Sequence, residues 1–184
     1  MKKILSAIII VVLLVFIYAF STYNSLVTLN EQVDTQWKQV EVDYQRRFDL
    51  IPNLVSSVKA IMAQEKDIFT AIADARTRYS GANTPEDKAK ATVAVESALG
   101  RLLVITENYP QLKSSENVNT FMSQLEGTEN RISVQRIRYN DFVKLYNLKV
   151  KRIPSSIIAS MFGFDERIYF EAKAGTENAP EVKF

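Results

Sequence analysis

An uncharged apolar run from Ile4 to Phe20, preceded by Lys2 and Lys3, constrains this chain more than any other feature. As a helix, its 17 residues reach roughly 25 Å, the short end of what crosses a hydrocarbon core about 30 Å thick. Lys3 can snorkel at one boundary, while Tyr18, Phe20 and Tyr23 suit the other. Residues 1–21 therefore read as a transmembrane signal-anchor helix. A cleaved signal peptide shares the basic start and apolar stretch, but this run exceeds the usual apolar core of such peptides. Its candidate cleavage pattern, Ala19-Phe20-Ser21, is mediocre. The positive-inside rule places Met1–Lys3 in the cytoplasm and the body outside it, although Lys38, Arg46 and Arg47 weaken the contrast.

The remainder is long enough for one domain with a respectable core. Removing Lys2 and Lys3 leaves 21 basic against 21 acidic residues, a formally neutral body that argues against nucleic acid as a partner. The chain has no Cys and no His. That excludes disulfides, thiolate nucleophiles, Ser-His-Asp chemistry and zinc sites built on His or Cys. No catalytic, cofactor-binding or metal-ligating residues are assigned, and the chain is not read as an enzyme.

The apolar period is helical almost throughout. Leu26, Asn30, Val33, Trp37, Val40 and Tyr44 step by alternate fours and threes, a heptad-like seam. The sequence predicts an end to that helix near Phe48 and a new start near Asp49, with Pro52 in a first turn; a continuous helix kinked at Pro52 is the alternative. A second pattern runs from Leu54 through Ile72 and fades near Tyr79. Thr84 and Pro85 read as the cap and first residue of a third helix, which stops before Pro110. The fourth extends from about Glu116 to Arg152, with Pro154 ending it and Ser155 capping a short helix that finishes at Gly163. Alternation then becomes extended from Phe164, and the last residues look loosely held.

The predicted fold class is all-α: a transmembrane helix at 1–21, an antiparallel up-and-down four-helix bundle over 22–163, and an extended tail over 164–184. Antiparallel packing of the first and fourth helices sets Trp37 near Ile137 and Arg47 against the Glu126–Glu129 turn. Arg46 or Arg47 is thus expected to pair with Glu126 or Glu129 as an interhelical polar lock.

Several segments carry a resemblance. Tyr23–Val27, Arg46-Arg47-Phe48-Asp49-Leu50-Ile51-Pro52-Asn53-Leu54-Val55, Glu107-Asn108-Tyr109-Pro110 and Gln124–Ile132 resemble signatures of the LemA family. Arg138-Tyr139-Asn140, Tyr146-Asn147, Gly163-Phe164 and Pro180–Phe184 continue the match in order along nearly the whole chain. The resemblance implies a bacterial single-pass membrane protein carrying a helical bundle, in a family linked to membrane organisation, including magnetosome formation. It supplies no catalytic residues. The expected location is the bacterial cytoplasmic (inner) membrane, with the N-terminus cytoplasmic and the bundle extracytoplasmic.

Glu126 and Glu129 share a helix face and could hold a cation or work as an acid/base pair, but an arginine-paired lock is the plainer reading. Amides at Asn30, Asn130, Asn140 and Asn147 sit at inward positions, where they set register or line a polar ligand site. Between Arg131 and Arg152, seven basic residues face Asp141 alone. Of these, Lys144, Lys149, Lys151 and Arg152 are membrane-surface candidates. Val182 and Phe184 are candidates for docking the tail on a partner's sheet edge. The functional expectation is a membrane-anchored, non-enzymatic interaction or scaffold module, with the lipid bilayer and a protein partner or self-association as its contacts. The alternative is an extracytoplasmic sensor or adaptor that binds a ligand or peptide.

Overall fold

A computed structural model describes residues 2–59 and 61–170. It is helical nearly throughout: α1 Lys2–Lys59, α2 Lys66–Gly81, α3 Pro85–Thr106, α4 Pro110–Lys113, α5 Glu116–Lys151 and α6 Ser155–Phe162. The expected all-helical class is what the described residues adopt, and one N-terminal helix is long and apolar enough to cross a membrane.

Helix α1 carries two different surfaces on one rod about 87 Å long. Residues 4–17 bury none of their side chains, with Ile4 67% and Phe16 70% exposed. From Thr22 onward a seam is buried through Leu26, Val33, Trp37, Val40, Tyr44, Phe48, Ile51, Leu54 and Val58. The expected break between Phe48 and Asp49 is absent, and α1 continues through Pro52. A mid-helix proline forfeits one backbone hydrogen bond and strains the preceding turn, at about 3 kcal/mol. Burial of Phe48, Ile51, Leu54 and Val58 on both sides offsets that, at about 1.5–3 kcal/mol for each fully buried side chain. The break falls instead within residues 61–65, so the segment predicted as one helix from Leu54 to Tyr79 is divided between α1 and α2.

Local capping explains the other boundaries. Thr84 Oγ1 accepts from the Asp87 amide at 3.1 Å with Pro85 at the first helical position, as the sequence predicts. Ser115 Oγ accepts from the Val118 amide at 3.5 Å to start α5. Ser155 does not cap α6: its hydroxyl donates to the carbonyls of Lys149 and Arg152 at 2.7 and 2.8 Å, and Pro154 occupies the capping position. Gly163 ends α6 in the left-handed region at φ 72°, a conformation that disfavours any side chain.

Packing is organised in pairs. Helix α1 lies along α5, and α2 along α3; α6 closes against both α1 and α5. As numbers rise on α1 they fall on α5: Gln36 meets Gln135 at 2.8 Å, Asp43 faces Arg131 at 3.9 Å, and Arg47 meets Glu129 at 2.6 Å. Trp37 packs on Tyr139 with ring centroids 5.8 Å apart rather than on Ile137, which is exposed. The two-residue difference moves the contact from the outer to the inner face of α5. The α2/α3 pair meets this layer through Tyr79, whose ring lies 4.2 Å from Phe48 and 5.9 Å from Tyr44, and through a Lys88–Glu41 ion pair.

Candidate functional site

Two polar layers cross the inner face of α1 and α5, where an all-helical body would otherwise place only apolar side chains. The first surrounds Arg47, which has no exposed surface. Its Nη1 is 2.6 Å from Glu129 Oε1 on α5 and 3.6 Å from Glu96 Oε1 on α3. Arg136 on α5 donates from Nη2 to the same Glu96 oxygen at 2.7 Å, and from Nε to the Tyr44 hydroxyl at 3.0 Å. Tyr44 lies between the two arginines, with their guanidinium carbons 5.3 and 5.5 Å from its ring centre. One carboxylate thus gathers two cations, and α1, α3 and α5 are pinned at one level.

The electrostatics follow from burial. Burial pushes the Tyr44 hydroxyl pKa up, against the pull of Arg136. For Arg136 burial acts downward, yet Tyr44 and Glu96 outweigh it and leave its pKa raised. Arg47 Nε, Arg47 Nη2 and Thr92 Oγ1 are buried without a hydrogen-bond partner. Such a cluster is costly to break, because removing one partner strands a buried charge. Its carboxylates are committed to arginines, which suits locking better than proton transfer.

Of the four residues expected to pair, Arg47 and Glu129 form the ion pair, and Arg46 and Glu126 are exposed. Extending the threes-and-fours seam of α1 through Tyr44 to Arg47, Ile51 and Leu54 distinguishes Arg47 from its neighbour. Glu96 and Arg136 escaped the sequence reading. Glu96 is the acidic residue of α3 that falls one position after the buried Val95, and the charge alone does not mark it.

The second layer holds the segment after α6. Asn147 Nδ2 donates to the Arg167 carbonyl at 2.8 Å, and the Arg167 amide donates to Asn147 Oδ1 at 2.9 Å. Asn140 treats Phe170 identically, with both bonds at 2.9 Å. Asparagines two helical turns apart thus grip residues three apart on an extended chain, matching about 10 Å along each element. The Arg167 guanidinium reaches Asn30 Oδ1 at 2.8 Å and Asp34 at 3.1 Å on α1. The Phe170 ring stacks on Trp37 at 5.6 Å and meets Tyr139 edge-on at 5.1 Å. Residues 164–170 are therefore fastened to the body; the last residues, expected to be loosely held, lie outside the described residues. Asn130, expected inward, is exposed. Of the basic residues near the end of α5, Lys144, Lys151 and Arg152 are exposed and Lys149 is half-buried; Lys151 pairs with Glu166 at 2.7 Å. Val182 and Phe184 lie outside the described residues.

Fold and site together define a protein that is helical nearly throughout its described residues, with an apolar N-terminal rod and a body crossed by two polar layers. The family model for the LemA family matches residues 36–184, and the chain belongs to that family. Curated relatives include the magnetosome proteins MamQ 1 and MamQ 2 of Paramagnetospirillum magneticum and magnetosome protein MamQ of Magnetospirillum gryphiswaldense. Each is 29% identical over 82% of this chain, which spans 65% of the length of the relatives it matches.

Proposed function

We propose that this protein is a membrane-anchored interaction or scaffold module of the bacterial cell envelope, working through its surfaces rather than by catalysis. In this reading α1 crosses the cytoplasmic membrane once, with Lys2 and Lys3 inside. Outside, α1, α2, α3 and α5 form an antiparallel up-and-down four-helix bundle. The single observation that carries the reading is the continuity of α1: one uninterrupted helix supplies both the wholly exposed apolar rod and a wall of the body's core. Any orientation of that rod in lipid is transmitted rigidly to the body. The Arg47–Glu129 and Arg47–Glu96 contacts serve rigidity, and the magnetosome-protein relatives support a role in membrane organisation.

In-cell crosslinking of the full-length protein, followed by mass spectrometry, tests this reading. Reproducible neighbours, or a second copy of the chain, are expected. A monomer without reproducible neighbours, or mature protein beginning near Thr22 and free of lipid, overturns it.

A second reading, a sensor or adaptor that captures a peptide, is favoured by the paired amides of Asn140 and Asn147. These recognise backbone N–H and C=O together, as a peptide groove does. A captured peptide would have to displace residues 167–170. A synthetic peptide spanning 164–170 that binds the full-length protein, and loses binding in N140A/N147A, supports it; no binding removes it.

A further inference from the structure

The short helix α6 closes the α1/α5 pair at the end from which the apolar rod emerges. One side is packed: Ser155 and Ala159 are buried and Ile158 is half-buried. The opposite side is apolar and uncovered, with Ile157 59% and Met161 72% exposed one turn apart; Ile153, in the turn before α6, is 84% exposed. Apolar side chains turned outward on a short amphipathic element mark an interaction surface.

Its level along α1 identifies what covers it. The Phe162 ring lies 4.8 Å from that of Tyr23, and Phe164 lies 5.8 Å from it on the far side of Gly163. Tyr23 is three residues beyond Phe20, about 4.5 Å along the helix axis from the end of the apolar run. The exposed face of α6 is therefore within a turn of the surface that α1 presents to acyl chains. The last turn of α5 brings Lys149, Lys151 and Arg152 to the same level. Of the acidic residues nearby, Glu166 engages Lys151 at 2.7 Å and Asp165 is exposed, so the cations are only partly offset. Apolar side chains flanked by lysine and arginine at the depth of an aromatic residue are the composition of an interfacial helix.

We propose that α6 is a lipid-inserted foot: Ile153, Ile157 and Met161 enter the outer acyl region of the bilayer crossed by α1, while Lys149 and Arg152 meet headgroup phosphates. This rests on the reading of α1 as a membrane span. It adds a second attachment point that fixes the tilt and rotation of the body on the membrane, which a single rod cannot do. A protein partner is the weaker occupant, because the patch is continuous with a lipid-facing surface.

The chain lacks cysteine, so single cysteines can be labelled in the full-length protein. An environment-sensitive fluorophore is placed at Ile157→Cys, Met161→Cys, Phe16→Cys within the rod, and Ile137→Cys on the exposed side of α5. The protein is reconstituted into vesicles of phosphatidylcholine and phosphatidylglycerol containing spin-labelled lipid. Ile157 and Met161 positions are expected to be quenched several-fold more than Ile137, most strongly by spin labels near the headgroup, and Phe16 most strongly by deep labels. Quenching at Phe16 with α6 no different from Ile137 overturns the foot and leaves the span standing. No quenching at Phe16 overturns the span and the foot with it. Shielding of the α6 positions from aqueous iodide without lipid quenching means that protein covers them, and also overturns the proposal.

Discussion

Asn147 holds Arg167 by both polar groups of its backbone, donating to the carbonyl at 2.8 Å and accepting from the amide at 2.9 Å. With Asn140 repeating the arrangement on Phe170, the segment after α6 is bound to the body as a strand is bound to a sheet edge, although the receiving element is a helix. Side-chain amides make this possible, because a helix has already spent its own backbone groups internally.

Replacing these amides should release the segment without unfolding the body. Asn147→Ala leaves the part-buried amide and carbonyl of Arg167 without their side-chain partner, at about 1–3 kcal/mol. N140A/N147A is expected to raise amide hydrogen exchange at Arg167 and Phe170 by about tenfold or more, since 1.4 kcal/mol corresponds to a factor of ten. Exchange in α5 should change little. Unaltered protection at both amides would mean that Trp37 and Tyr139 hold Phe170 without them.

The Arg47 cluster predicts unequal costs for its two carboxylates. Glu96 is mostly buried and shared by two arginines, so Glu96→Gln should destabilise by about 3 kcal/mol, the scale for stranding a buried charge. Glu129 is 36% exposed and water can replace it, so Glu129→Gln should cost about 1 kcal/mol or less. Arg47→Met combined with Glu96→Gln should recover part of the loss. Denaturant unfolding of the full-length protein in detergent micelles measures all three; equal costs for the two glutamates would refute the asymmetry.

Much of this was legible because the seam repeats. Leu26, Val33, Trp37, Val40 and Tyr44 on α1, and Val118, Leu125, Ile132 and Tyr139 on α5, are buried where the alternating spacing places them. Local signals also set Thr84 as a cap. The helix boundary was misplaced because proline is read locally, whereas Phe48 and Ile51 decide by packing on both sides of Pro52. The true break at 61–65 has neither glycine nor proline to announce it. Glu96 was invisible for a different reason: its partners are 40 and 49 residues away in sequence, and only tertiary packing brings two arginines to it. The outward face of α6 was hidden because eight residues that mix three serines with Ile157, Ile158, Met161 and Phe162 are too few to show which side is packed.

Tyr79 gives the body an alkaline limit. Burial, followed by the nearby Glu41 charge, raises its pKa from 10.0 to about 12. A folded-state value above the unfolded one means that the neutral hydroxyl is favoured by folding. Its stabilising contribution is complete below pH 10 and is lost as pH rises towards about 12. Unfolding midpoints should stay flat from neutral pH to about 9 and fall beyond 10, with tyrosinate absorbance rising alongside. Tyr79→Phe keeps the ring on Phe48 and Tyr44 and should flatten part of the decline. A decline unchanged by the substitution would assign it to Tyr44, Tyr139 or Tyr146, whose values burial also raises.

Pro52 is the last test, because it separates local preference from packing. It has no amide to donate to the Phe48 carbonyl, so α1 carries a gap in its ladder where the buried seam is densest. Pro52→Ala restores that hydrogen bond and removes the ring's clash with the preceding turn, and should stabilise the protein by about 1–3 kcal/mol. The gain should be read from denaturant unfolding of the full-length chain in micelles. If the contacts of Phe48 with Tyr79 and of Arg47 with Glu129 depend on proline at this position, replacing it loosens them. The substitution then destabilises, and exchange protection drops at Phe48 and Glu129. The sign of this one change decides whether the missing hydrogen bond or the packing around Pro52 dominates in α1.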